Sequence, residues 1–206
     1  MPPVRGARGA GAAFSRHGGL AGAMAAVVVG FLAYGLATGA DLAVPYAVIV
    51  VAGAVFVAAV EPPGGFSRVV LAGLALWAVG HLAGGSVGIG DDRTLYNAVL
   101  PGGLHFDNAV HFVGFGTSGL AWWEATRPWL PAATGHPAGV WAAVWLAGMG
   151  VGALNEVLEF VVTLLVEDTN VGGYRNTGRD LIANLLGAAV AGAIASARHR
   201  RAPAGA

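Results

Sequence analysis

The chain has 206 residues, zero formal net charge and 56% hydrophobic residues. Only 11% are charged, against about 25% in a soluble domain, and the mean hydropathy is +0.66, so the composition is that of a membrane protein. Zero net charge argues against nucleic acid as a partner, and the lack of cysteine rules out disulfides, thiolate metal ligands and a cysteine nucleophile.

The first 19 residues, MPPVRGARGAGAAFSRHGG, are basic and rich in Gly and Ala, which predicts a tail. The apolar run after them is too long for a signal-peptide core and shows no clear cleavage site, so a first membrane helix is expected from Leu20 to Ala40. About 20 apolar residues are needed to cross the hydrocarbon core. Five more segments qualify: Leu42–Val60, Arg68–Ser86, His105–Trp123, Ala138–Val166 and Gly178–Ala197. Asp41 is expected in a tight turn between the first two, and EPPGGFS breaks the chain before the third. Residues 198–206 form a second basic tail. The expected fold class is therefore all-α, a polytopic six-helix membrane bundle over residues 20–197, with no internal repeat.

Arginine placement orients this bundle. With the N-terminus cytoplasmic, Arg5, Arg8, Arg16, Arg68, Arg127, Arg198, Arg200 and Arg201 fall inside, and only Arg93, Arg175 and Arg179 fall outside. That asymmetry satisfies the positive-inside rule and puts both termini in the cytoplasm of a bacterial-type membrane.

With this topology, polar residues from four helices meet in one layer under the outer surface. They are His81 on the third helix, Asp107 and His111 on the fourth, Glu156 and Glu159 on the fifth, and Asp180 and Asn184 on the sixth. Each pair is spaced i,i+3 or i,i+4 and so shares a helix face. Four carboxylates facing lipid would cost roughly 10 kcal/mol on insertion scales, so they are expected to face one another, a cavity or a cation. Other polar residues have plainer readings. His105 is placed at the membrane edge, Glu124 and Arg127 at the cytoplasmic interface, and His17, His136 and His199 in tails or loops. Trp122, Trp123, Trp129, Trp141 and Trp145 form an interfacial belt, with packing as a second role for Trp141 and Trp145. GMGVG at 148–152 suits close helix packing better than a nucleotide loop.

A set of His, Asp and Glu around one point can hold Zn²⁺, Mn²⁺ or Mg²⁺. The candidate metal ligands are His81, His111, Asp107, Glu156, Glu159 and Asp180. A bound metal lowers the pKa of a water, and one of the acids Glu156, Glu159 or Asp107 would then act as general base. Asp180 has a second reading as a helix N-cap. The loop EDTNVGGYRNTGRD at 167–180 supplies Arg175 and Arg179 for a phosphate, with Asn184 as a further substrate contact, and GIGDDRTLYNAVLPGG is a candidate lid. The resulting expectation is a hydrolase or transferase acting on a lipid or lipid-linked phosphate. The alternatives are a non-enzymatic lipid-binding or transport protein, or an accessory membrane protein whose polar cluster is structural.

Four motifs occur in order: HLAGG at 81–85, FDNAVHFVGFG at 106–116, NEVLEF at 155–160 and NTGRDLIANLLGA at 176–188. Together they resemble the YjdF-type inner-membrane proteins and, more loosely, the VanZ-like family, over roughly residues 68–195. His81, Asp107, His111, Glu156, Glu159 and Asp180 fall on the YjdF-type positions. Asn176 stands where that pattern has Asp, which argues against a full two-metal site, and Phe160 stands where it often has Trp. Asn184 matches the VanZ-like pattern. The resemblance implies a polytopic membrane fold and supplies no reaction.

Overall fold

The computed structural model describes residues 8–40, 42–91, 93–130, 136–165, 169 and 171–201. The described residues form seven α-helices: α1 (Arg8–Arg16), α2 (Gly18–Thr38), α3 (Ala43–Val60), α4 (Arg68–Ser86), α5 (Phe106–Thr126), α6 (Pro137–Leu165) and α7 (Tyr174–Arg201). Between α4 and α5 lie a small hairpin, β1 (Gly88–Gly90) and β2 (Arg93–Thr94), and a 3-10 turn, Leu95–Asn97.

Among the described residues, α2, α3, α4, α6 and α7 are long and apolar enough to cross a membrane. That is five helices, one fewer than the sequence predicts. The difference is α5, which has the length at 21 residues but carries Asp107, Asn108, His111 and Glu124. It can carry them because α4, α6 and α7 all pack against it. Most of its residues from Asn108 to Trp123 are buried.

The helix boundaries lie close to those expected from hydropathy, with informative departures at the N-terminus and at the start of the last helix. The N-terminal stretch expected as a tail is helical from Arg8 to Arg16, and its Ala13 is buried. His17, expected to be idle, lies 2.6 Å through Nε2 from Glu61 Oε1, which also meets Arg16 Nη1 at 3.4 Å and accepts from the Phe66 amide. The last helix begins at Tyr174, so residues 174–180 are its first turns and not part of a loop. Asp180 is therefore seven residues in and is not an N-cap. Asp41 lies outside the described residues; the turn before it begins at Gly39, whose φ of 74° ends α2.

Helices α5, α6 and α7 approach closely because glycines line their contacts. A Cβ on Gly187 would overlap the carbonyl oxygen of Phe112, and one on Gly116 would lie 2.7 Å from the Gly187 oxygen. On α6, a Cβ on Gly148 would lie 2.7 Å from Phe115 O. Close helix packing is thus the use made of GMGVG at this glycine. These contacts make α7 parallel to α5 and α6 antiparallel to both. The apolar core of this end includes Val70, Leu120, Trp123, Val140 and Val144. Trp123 is buried there and does not join a belt, whereas Trp122 and Trp129 are exposed. Trp141 and Trp145 stack on each other with ring centroids 5.2 Å apart, and Trp141 Nε1 donates to Ala189 O. Glu124 is likewise engaged: it accepts from the Ser67 amide at 2.8 Å, tying the start of α4 to the end of α5.

Replacing Gly187 with Ala is expected to force α5 and α7 apart and to destabilise the fold by about 1–3 kcal/mol, the usual cost of overpacking. Gly150, with no atom within 4 Å of its Cβ position, provides the control. Thermal unfolding in detergent should show a lower midpoint for Gly187→Ala and little change for Gly150→Ala.

Candidate metal centre

The helix directions set where the polar residues meet. The first turns of α5 and α7 and the last third of α6 share one end of the bundle, beside the end of α4 and the hairpin segment. Two groups of three form there. Asp107, His111 and Asp180 offer ligand atoms that all lie within 4.8 Å of one another, and so do His111, Glu156 and Glu159. His111 is common to both.

The floor of the site is buried. Asp180 and Asn184 are fully enclosed, and His111 and Glu156 nearly so. The side chains of Asp107 and Glu159 are 18% and 29% exposed and form its open edge. His111 Nδ1 lies 3.2 Å from Asn184 Oδ1, so an N–H there donates to the amide oxygen. Its other nitrogen, Nε2, is then a lone pair facing Asp107 Oδ1 at 3.5 Å and Glu159 Oε1 at 3.9 Å. Both separations are too long for hydrogen bonds. They are close to the spacing of about 3.3 Å between ligand atoms sharing one tetrahedral Zn²⁺. A His whose far nitrogen is fixed by an outer carbonyl is the usual form of a metal ligand.

The carboxylates are treated unequally. Asp180 Oδ1 accepts from Asn108 Nδ2 at 2.7 Å, and its Oδ2 accepts from Asn176 Nδ2 at 2.5 Å. Asn176 also donates to Asp107 Oδ2 at 3.3 Å. Glu159 Oε1 accepts from Asn155 Nδ2 at 2.6 Å. Glu156 is the exception: neither oxygen has a hydrogen bond of good geometry, although the Thr177 hydroxyl is a donor in range and Oε1 lies 3.5 Å from His111 Nδ1. An uncompensated buried charge costs several kcal/mol, so this carboxyl needs a proton or a cation. Asn184 Nδ2 is also without a partner.

His81 stands apart from both groups. Its Nδ1 lies 2.6 Å from the Tyr96 hydroxyl, whose oxygen is also 3.2 Å from His81 O. Trp77 stacks on its ring at 5.2 Å, and Tyr46 meets it edge-on at 5.0 Å. The neighbouring glycines of HLAGG make this possible. A Cβ on Gly84 would strike the Tyr96 ring, and one on Gly85 the Tyr46 ring. Burial pushes the Tyr96 hydroxyl well above the usual tyrosine range, with Tyr46, Asp107, Glu159 and Asp180 pushing the same way. It therefore stays protonated, within the field of the acidic cluster.

The remaining expected contacts fall as follows. Arg175 and Arg179 are exposed on the first turns of α7, at the same end as the cluster. Asn184 lies under His111, where it orients the imidazole, and does not face an open surface. His105 precedes α5, and its amide donates to Asn108 Oδ1. Sequence reasoning passed over Asn108, Asn155, Tyr46 and Tyr96. The signal available for the amides was their helical spacing: Asn155 lies four residues before Glu159, and Asn176 four before Asp180.

A sequence model of a family described as predicted membrane proteins (DUF2238) matches residues 19–201. The YjdF-type resemblance is borne out, since the YjdF-type proteins are this family, and the VanZ-like one is not shown. No curated protein and no solved structure matches the chain.

Asn108→Ala removes the donor to Asp180 Oδ1 inside the bundle. It should cost about 1.5–3 kcal/mol, the range for a hydrogen bond to a charged group, seen as a lower unfolding midpoint in detergent. An unchanged midpoint would mean that Asp180 is held by other means.

Proposed function

The chain belongs to the DUF2238 family of predicted membrane proteins, and we propose that it is an integral membrane metalloprotein acting on a lipid or lipid-linked phosphate. In this reading α5 is a sixth span, shielded from lipid by its neighbours, and both termini are cytoplasmic. The polar end of the bundle then lies under the outer leaflet of a bacterial-type cytoplasmic membrane. The arginine distribution supports this orientation.

The observation that carries the proposal is the pairing of two unsatisfied partners. Glu156 is a buried carboxyl without a well-formed hydrogen bond, and His111, whose Nδ1 lies near it, turns Nε2 toward two carboxylates across gaps too wide for hydrogen bonds. A divalent cation answers both. His111, Asp107 and Glu159 would hold it from the open edge, Glu156 from the buried side, and Asp180, clamped by two amides, would complete the charge balance. A cation of this kind polarises a phosphoryl oxygen and acidifies a bound water. Asn184 keeps the His111 ring in place, and the two part-exposed carboxylates leave the cation open to the membrane surface. Arg175 and Arg179, exposed at the same end, suit the charge of a phosphate. The combination favours a hydrolase or transferase over a through-membrane path, because the other end of the bundle core is apolar.

Metal content of the purified protein tests the reading. Wild type should hold about one equivalent of Zn²⁺ or Mn²⁺, and His111→Gln should lose it while keeping its helical circular dichroism. Affinity should fall as the pH is lowered, because protons compete for the imidazole and carboxylates. Folded wild-type protein with no stoichiometric metal, even after dialysis against Zn²⁺ or Mn²⁺, would overturn the proposal.

A further inference from the structure

The start of α6 and the end of α7 meet at the end of the bundle opposite the acidic cluster, and their charge is of the other sign. The chain has no Asp or Glu between Glu124 and Glu156 and none after Asp180. Two acids from other elements, Glu61 and Glu124, do lie at that end, but both are engaged. Arg16 and His17 meet Glu61, and the Ser67 amide donates to Glu124.

Between the two helix ends lies a cleft of about 520 Å³. Among the described residues its walls include His136, just before α6, with Ala138 and Trp141 on α6 and Ala193, Ser196 and Arg200 on α7. Contacts between the helices fix these walls. Ser196 Oγ donates to Pro137 O at 2.6 Å, tying the end of α7 to the first residue of α6. Trp141 Nε1 donates to Ala189 O at 3.1 Å. Gly192 makes room for that indole, since a Cβ there would lie 2.9 Å from Trp141 Cδ1.

The polar groups of the cleft are donors. Ala138 N donates to His136 Nδ1 at 3.2 Å, so the proton of the neutral imidazole sits on Nε2 and is free to be given. Arg200 is exposed, and no carboxylate pairs with it among the described residues. Beside these two stand the apolar surfaces of Ala138, Trp141 and Ala193.

We propose that this cleft binds the phosphate of an anionic membrane lipid. Arg200 is the charge partner of the phosphate, His136 a second donor, and Trp141 the wall for the glycerol and the upper part of a chain. A guanidinium matches two phosphate oxygens at once, and basic pockets between membrane helices are a recurrent setting for anionic headgroups. Both α6 and α7 are long and apolar enough to cross a membrane, so their ends reach headgroup level, where Trp is favoured. A free phosphate would meet the same two donors but leave the apolar wall facing water, which favours the lipid. The site is separate from the cation reading and does not depend on it.

Binding of dihexanoyl-phosphatidylglycerol to the full chain in a neutral detergent, followed by phosphorus-31 NMR, tests this. Wild type should bind it saturably. Arg200→Gln should weaken binding about tenfold, the loss expected for one charge-assisted contact. Arg198→Gln removes the same charge from a residue outside the lining and should leave the affinity unchanged. Ala193→Phe keeps every charge but fills the cleft from an exposed position, and it should abolish binding. Dihexanoyl-phosphatidylcholine, which has no net charge, and inorganic phosphate, which has no chains, should both bind far more weakly. Equal losses in Arg198→Gln and Arg200→Gln would reveal only a diffuse surface charge and overturn the inference. Undiminished binding in Ala193→Phe, phosphatidylcholine binding as tightly as phosphatidylglycerol, or inorganic phosphate displacing the lipid at equal concentration would overturn it as well. Helical circular dichroism checks each variant, and if Ala193→Phe does not fold, the two arginine variants and the headgroup comparison decide.

Discussion

Helices α5 and α7 touch backbone to backbone at Gly187, where the carbonyl oxygen of Phe112 occupies the space a side chain would need. That contact sets both the distance and the register of the two helices. One turn back along α7, the register places Asn184 against His111, the residue before Phe112, and a further turn places Asp180 against Asn108. Helix α6 enters the same arrangement in the opposite direction, with Gly148 against Phe115 O and Gly152 2.6 Å from Asn184 Nδ2 by its Cβ position. From there α6 delivers Glu156 and Glu159 to the level of His111. Small residues let the backbones come together, and the polar side chains a turn or two away then have no room to turn toward lipid.

The electrostatics follow from this packing. Asp107 sits in the first turn of α5, where the positive end of the helix dipole favours negative charge, whereas Asp180, seven residues into the parallel helix α7, depends on side-chain donors. Two asparagines add donors at Asp180, and one of them bridges to Asp107. An aspartate at position 176 would add a carboxylate and remove that bridge. The departure from the YjdF-type pattern at this position thus exchanges a charge for a donor, and it leaves Glu156 as the acid with least compensation. The proposed single cation beside His111 fits this distribution of donors and acids.

Much of this was legible before the structure. Hydropathy located α2, α3, α4, α6 and α7, since a run of about 20 apolar residues has few other uses. The i,i+4 pair Asp107 and His111 marked the polar face of α5 for the same reason that it lowered that helix's own hydropathy. What the sequence hid falls into two kinds. Asn108 is a neutral amide whose carboxylate partner lies on another helix, and nothing in a single sequence separates such a donor from an ordinary polar residue. Tyr46 and Tyr96 lie far apart along the chain, one opening α3 and the other in the segment after the hairpin, and only tertiary packing brings both to His81. The start of α7 was misplaced because Gly172, Gly173 and Gly178 look like loop residues. The amide of Asn176 and the carboxylate of Asp180, one turn apart and bonded to each other, supply the local reason for helix there.

The HLAGG motif shows how far a short motif can differ in use from its appearance. As sequence it offers a histidine followed by flexible residues. In the fold its glycines are spaces: Gly84 receives the Tyr96 ring and Gly85 the Tyr46 ring, and the histidine is gripped by the rings those spaces admit. The loop that carries Tyr96 is itself tied back, with Leu95 N donating to Val87 O and Phe106 N to Ala98 O. His81 and His111 therefore end alike in one respect, each with Nδ1 held by an oxygen and Nε2 turned free. They differ in what that free nitrogen faces. For His111 it is two carboxylates, whereas Nε2 of His81 is buried without a hydrogen-bond partner. The same side chain stands in two settings: acids surround His111, whereas uncharged aromatic rings enclose His81.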